Sequence, residues 1–150
     1  MKKFVFSLEK VLSFQRQKLD VKKQELSILH GSLHELEQEI RNLEARFAGL
    51  NAEMRQAAQT GMNACDMAAY KIYFRTLNEK IKKLMESKAE LLRRIEDKKA
   101  SIIQSNTEIS GLEKLRDKQL DAYLKEGRKK QQLEIEEFVA IPVLSIAFKI

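Results

Sequence analysis

The chain has 150 residues, a net charge of +6, one third of its residues charged, no tryptophan, and a single proline at position 142. So little turn punctuation before residue 141 excludes a compact globular domain and favours long helices with a thin, linear core. A single cysteine, Cys65, excludes an internal disulfide and fits a reducing compartment. No window approaches the roughly 18 apolar residues needed to cross a bilayer, and no secretory h-region follows Met1, so the chain reads as soluble and cytoplasmic.

The first predicted helix starts near Ser7, a reasonable N-cap preceded by Phe4, Val5 and Phe6, and runs to about residue 59. Its apolar residues recur at alternating steps of three and four: Leu26, Leu29, Leu33, Leu36, Ile40, Leu43, Phe47, Leu50, Met54. A spacing that averages 3.5 residues puts them all on one narrow seam, and such a seam needs a partner helix along its length. Projected backwards, it passes through Lys22, Leu19, Gln15, Leu12 and Leu8, with two polar interruptions. Gly31 and Gly49 fall off the seam and weaken the helix without breaking it.

Turn composition clusters over residues 60–67, which are read as a hinge. Gly61 suits a left-handed helix end, and Asn63 or Asp66 suits the cap of the next helix. The second helix is expected over about 68–138. Its seam is read as Tyr70, Tyr73, Leu77, Ile81, Leu84, Lys88, Leu91, Ile95, Lys98, Ile102, Ser105, Ile109 and Leu112. Two consecutive steps of four at Tyr73, Leu77 and Ile81 read as a stutter. An antiparallel register centred on Met62 matches Leu33 with Leu91, Leu29 with Ile95, Ile40 with Leu84 and Leu43 with Ile81. It also sets Lys22 against Ile102 and Leu26 against Lys98; a register shifted by a heptad with a longer loop remains open. Parallel dimerisation through the first seam is the competing arrangement, but a short Gly-containing hinge favours the intramolecular hairpin. The predicted fold is therefore all-α, one long antiparallel two-helix coiled-coil hairpin over residues 1–140. Pro142 is expected to break the second helix, leaving residues 141–150 as an apolar tail.

Little in the chain carries chemistry. There is no phosphate-cradling glycine loop, GxSxG or CxxC. His30 and His34 share a helical face at a spacing able to bind metal, but no further histidine is available, and solvated polar positions are the better reading. Cys65 reads as incidental to the hinge. Carboxylates abound, yet two paired helices offer no pocket to desolvate and tune them. The expectation is no enzyme, no cofactor and no metal. Basic clusters at Lys80, Lys82 and Lys83, at Arg93 and Arg94, and at Arg128, Lys129 and Lys130 interleave with acidic residues. They read as solvated faces, so no nucleic-acid partner is expected.

Three stretches carry a resemblance. The opening Phe4-x-Phe6-x-Leu8-Glu9-Lys10-Val11-Leu12 followed by Arg16, the stretch Tyr70-x-x-Tyr73-Phe74-x-x-Leu77-x-x-x-Ile81, and the ending Arg128-Lys129-Lys130-Gln131-Gln132-Leu133-Glu134-Ile135-Glu136-Glu137-Phe138 resemble, in order and spacing, the FliJ family of flagellar export proteins. The resemblance implies an antiparallel coiled coil in the cytoplasmic part of the flagellar type III export apparatus, similar in shape to the central stalk of rotary ATPases. It implies association with the hexameric export ATPase, contact with the export-gate membrane protein and binding of export chaperones. It also implies peripheral association with the cell membrane through those partners and a monomer when free. Carried onto this chain, the ATPase-binding stalk end is Phe4, Leu8, Val11, Leu12 and Arg16 with Leu120, Tyr123, Leu124, Arg128, Lys129, Lys130 and Phe138. The gate-facing surface is Leu43, Arg46 and Leu50 with Tyr73, Phe74, Leu77 and Leu84. A two-helix rod about 20 Å across is what a narrow central channel in an ATPase ring admits. The apolar tail departs from the family's usual polar ending. A generic coiled-coil scaffold and the equivalent stalk of a virulence type III secretion system are the alternatives.

Overall fold

The computed structural model describes the backbone of residues 2–148 and the side chains of residues 2–141. Two α-helices, α1 (Glu9–Thr60) and α2 (Ala64–Phe148), pack against each other as a helical hairpin. The Leu8 carbonyl accepts the first helical bond of α1, from the Leu12 N–H, one residue later than the expected cap at Ser7. The hinge is three residues long, shorter than the expected 60–67. Gly61 has φ +100°, the left-handed conformation that ends α1. Asn63 then caps α2, its Oδ1 accepting the Asp66 N–H at 2.8 Å.

Packing divides the chain into two compact units, one of Met1–Leu19 with Gln104–Ile150 and one of Asp20–Ile103. Within the second unit, every expected seam residue of α1 from Leu26 to Met54 is buried or half-buried. On α2 the seam differs from the expected one. Tyr73 is 63% exposed, while Phe74 is half-buried with its ring centroid 5.0 Å from that of Phe47. Adjacent aromatics at a 3.5-residue rhythm leave the choice open, and burial selects the ring without a hydroxyl to desolvate. The seam therefore reads Tyr70, Phe74, Leu77, Ile81, Leu84, with steps of four and three alternating, and the stutter disappears.

The polar interruptions are also resolved by packing. Lys88 reaches Glu37 of α1 at 3.8 Å, and Lys98 reaches Glu25 at 2.5 Å. In the first unit Arg116 meets Glu9 at 3.5 Å, and Arg16 of α1 meets Glu113 at 2.8 Å. Lys88, Lys98 and Arg116 are half-buried along the seam while Arg16 is exposed, and each delivers its charge to a carboxylate on the facing helix. These pairs run antiparallel in both units, and those of the second unit agree with a register centred on Met62.

In the first unit Leu12 is fully buried, and Phe6, Leu19 and Ile109 are buried with it. Residues 2–6 are not helical, yet they are held against α2. Phe4 packs on Tyr123 with centroids 5.5 Å apart, and the Tyr123 hydroxyl donates to the Lys2 carbonyl.

Pro142 does not end α2, which runs on to Phe148. A proline forfeits one i→i−4 bond, but its neighbours on both sides keep theirs, so one missing donor interrupts the ladder without stopping it. The expected apolar tail, residues 141–150, is thus helical as far as Phe148. Its side chains beyond Ile141 lie outside the described residues.

Candidate functional site

Every residue expected at the stalk end belongs to the first unit, and every residue expected on the gate-facing surface belongs to the second. Their exposure differs widely within each group, and exposure decides which of them can touch a partner.

In the first unit Leu12 is 0% exposed and so cannot meet a partner. It is part of the helix–helix core, because the same seam that places it at the start of the motif turns it onto α2. Phe4, Leu8 and Tyr123 are half-buried, and Phe4 and Tyr123 spend their ring faces on each other. Arg16 is exposed but committed to Glu113. What faces solvent is Val11, Leu120 and Leu124, then Arg128, Lys129, Lys130 and Phe138. From Arg128 to Ile141 every residue of α2 is exposed. A cationic turn is followed there by Leu133, Ile135, Phe138, Val139 and Ile141, with Glu134, Glu136 and Glu137 between them. Phe138 is 76% exposed, unusual for a residue of its apolar area. Phe6, buried in the first unit, was not among the expected site residues. The repeated Phe4-x-Phe6 pair is the only hint of it in the sequence.

In the second unit Leu77 is buried, and Leu43, Leu50, Phe74 and Leu84 are half-buried in the seam, so they support the surface more than they form it. Arg46 and Tyr73 are the exposed members. Arg46, Leu50, Tyr73 and Leu77 share an open groove of about 1030 Å³ beside the hinge. Glu53, Asp66, Tyr70 and Lys80 line the same groove. Burial first, and then the nearby carboxylates of Glu53 and Asp66, hold the Tyr70 phenol above its usual range. Glu53 falls one heptad after Arg46 and Lys80 two heptads after Asp66, a pattern present in the sequence but indistinguishable there from ordinary solvated positions.

His30, His34 and Cys65 are all exposed. Among the described residues no cluster of three or more His, Cys, Asp or Glu side chains is placed to hold a metal, and no helix is long and apolar enough to cross a membrane. The two surfaces differ in kind: one is an exposed helical run with a basic turn and large apolar side chains, the other a groove lined by both charged and apolar side chains.

No curated protein and no solved structure gives a significant match to the chain. The family described as Flagellar FliJ protein matches residues 4–144, nearly the full length, and includes the three stretches on which the resemblance rests. The chain belongs to the FliJ family and is a component of the flagellar export apparatus.

Proposed function

We propose that this protein is a non-enzymatic stalk and activator of the flagellar export ATPase ring, which it links to the export gate and to export chaperones. The observation that carries the reading is the run of α2 from Arg128 to Ile141, exposed at every position and bearing both a cationic turn and large apolar side chains. A helix of this composition gains by burying Phe138 and its neighbours against a partner. The two-helix cross-section of the first unit, about 20 Å, suits a narrow ring lumen. On this reading the ATPase contacts are Val11, Leu120, Leu124, Arg128, Lys129, Lys130 and Phe138, with Phe4, Leu8, Tyr123 and Arg16 holding the surface in shape. The gate contacts are Arg46 and Tyr73 over a support of Leu43, Leu50, Phe74, Leu77 and Leu84. The free chain is a cytoplasmic monomer that reaches the membrane only through its partners.

Reconstitution with the purified ATPase tests this. The wild-type chain raises hexamer formation or hydrolysis, and Phe138→Ser lowers its affinity for the ATPase about tenfold while leaving its own thermal midpoint unchanged. No stimulation, or full stimulation by Phe138→Ser, would count decisively against the stalk reading. Sedimentation of the free chain as a dimer would favour a generic scaffold instead.

A further inference from the structure

The groove beside the hinge has two ends of opposite sign. On α1, Arg46 and Glu53 are seven residues apart, hence on one face and about 10 Å apart along the helix. On α2, Asp66 and Lys80 are four turns apart on one face. Because the helices run antiparallel, Lys80 falls at the Arg46 end and Asp66 at the Glu53 end. Elsewhere in this unit the seam lysines Lys88 and Lys98 are each matched by a glutamate of α1. Arg46 and Lys80 have no such match: among the described residues neither forms an ion pair. Two unneutralised cations lining one end of a groove repel each other, an arrangement that an anionic partner group relieves. At the other end Glu53 and Asp66 both face Tyr70. Leu50 and Leu77 lie between the two ends, and the wall is open at Gly49, where a Cβ would meet nothing within 4 Å.

We propose that this groove docks a helical protein segment carrying one acidic and one basic residue about two turns apart, with apolar side chains between them. The acidic group lies against Arg46 and Lys80, the basic group against Glu53 and Asp66, and the apolar side chains cover Leu50 and Leu77. The spacing matches the α1 pair, since charges seven residues apart on any helix are separated by the same rise, while Lys80 and Asp66, twice as far apart on α2, bracket that span with the same signs. The proposal rests on the reading that the hinge half of the second unit is a docking surface, and it names the chemistry of the segment docked there.

Binding of labelled designed helical peptides to the full chain, read by fluorescence anisotropy, tests it. The first peptide carries Glu and Lys seven apart with Leu three and four residues after the Glu; the second has Gln at both charged positions; the third has Lys at both. The wild-type chain should bind the Glu–Lys peptide about tenfold more tightly than the Gln–Gln one. Gly49→Leu, which fills the groove without touching a charge, should abolish that binding while circular dichroism shows the helices intact. The double variant Arg46→Glu with Lys80→Glu should instead prefer the Lys–Lys peptide. Equal affinity for the Glu–Lys and Gln–Gln peptides, no binding of either, or binding that survives Gly49→Leu would overturn the proposal. Co-purification with the export-gate protein separates this from the reading it rests on. If the peptides behave as expected and the gate protein still binds Gly49→Leu, the groove's chemistry stands and the gate assignment falls.

Discussion

At Gly61 and Gly49 a methyl group would meet nothing within 4 Å, yet the two positions respond in opposite directions to gaining one. Gly61 holds φ +100°, which an L side chain resists, so Gly61→Ala should cost about 1 kcal/mol or more. Gly49 lies within α1 with ordinary helical backbone, so Gly49→Ala should gain about 0.5–1 kcal/mol. Chemical denaturation of the two variants checks both signs, and a shared sign would contradict the hinge geometry. Tyr70 gives a pH dependence at the same end of the second unit. Its folded pKa is raised, so the neutral phenol stabilises the fold fully below the ordinary value of about 10, and that stabilisation is lost as pH rises through the raised value. Following the thermal midpoint through the alkaline range should show a decline in the wild type that Tyr70→Phe reduces. The choice between Tyr73 and Phe74 was not legible in the sequence, since both satisfy a 3.5-residue rhythm. The Phe47 ring across the seam decides it.

Among elements, the lysines in the α2 seam do work that apolar residues would do differently. Lys88 and Lys98 keep roughly a third of their side chains exposed, so their pairs with Glu37 and Glu25 contribute well under about 1 kcal/mol each to stability. Their larger effect is on specificity, because each charge is satisfied only where a glutamate faces it. Leucine at both positions should raise the thermal midpoint, by burying more apolar surface, and at the same time allow alternative pairings between chains. Light scattering after size exclusion checks this: the wild type should elute as a monomer and Lys88→Leu with Lys98→Leu as a mixture with dimer. A double variant that stays strictly monomeric would show that the hinge alone fixes the pairing. Sequence periodicity located both helices well because it is a local property of each strand of residues. It misjudged the end of α2, because a proline's cost is set by whether its neighbours keep their own bonds, and it missed Phe6, whose burial depends on α2 lying alongside.

At the scale of the whole molecule, the second unit contains its own two helical segments and the hinge that joins them. A fragment of residues 20–103 should therefore fold alone, with helical circular dichroism and cooperative thermal unfolding; a non-cooperative melt would show that this unit depends on the first. The first unit joins Met1–Leu19 to Gln104–Ile150, which meet only once the chain has turned back on itself. The amino-acid sequence by itself determined that the chain is helical, where the hinge lies, and which residues form most of the seam. All three follow from period, propensity and turn chemistry within a few consecutive residues. Family membership was legible in the same way, through the order and spacing of three short stretches. Only the tertiary structure decided which motif residues face solvent. It turned Leu12 inward and Tyr73 outward, matched the seam cations with glutamates across the pair, and left Arg46, Lys80 and Phe138 unmatched on the surface. Exposure is a relation between two helices, and no single segment of sequence contains both.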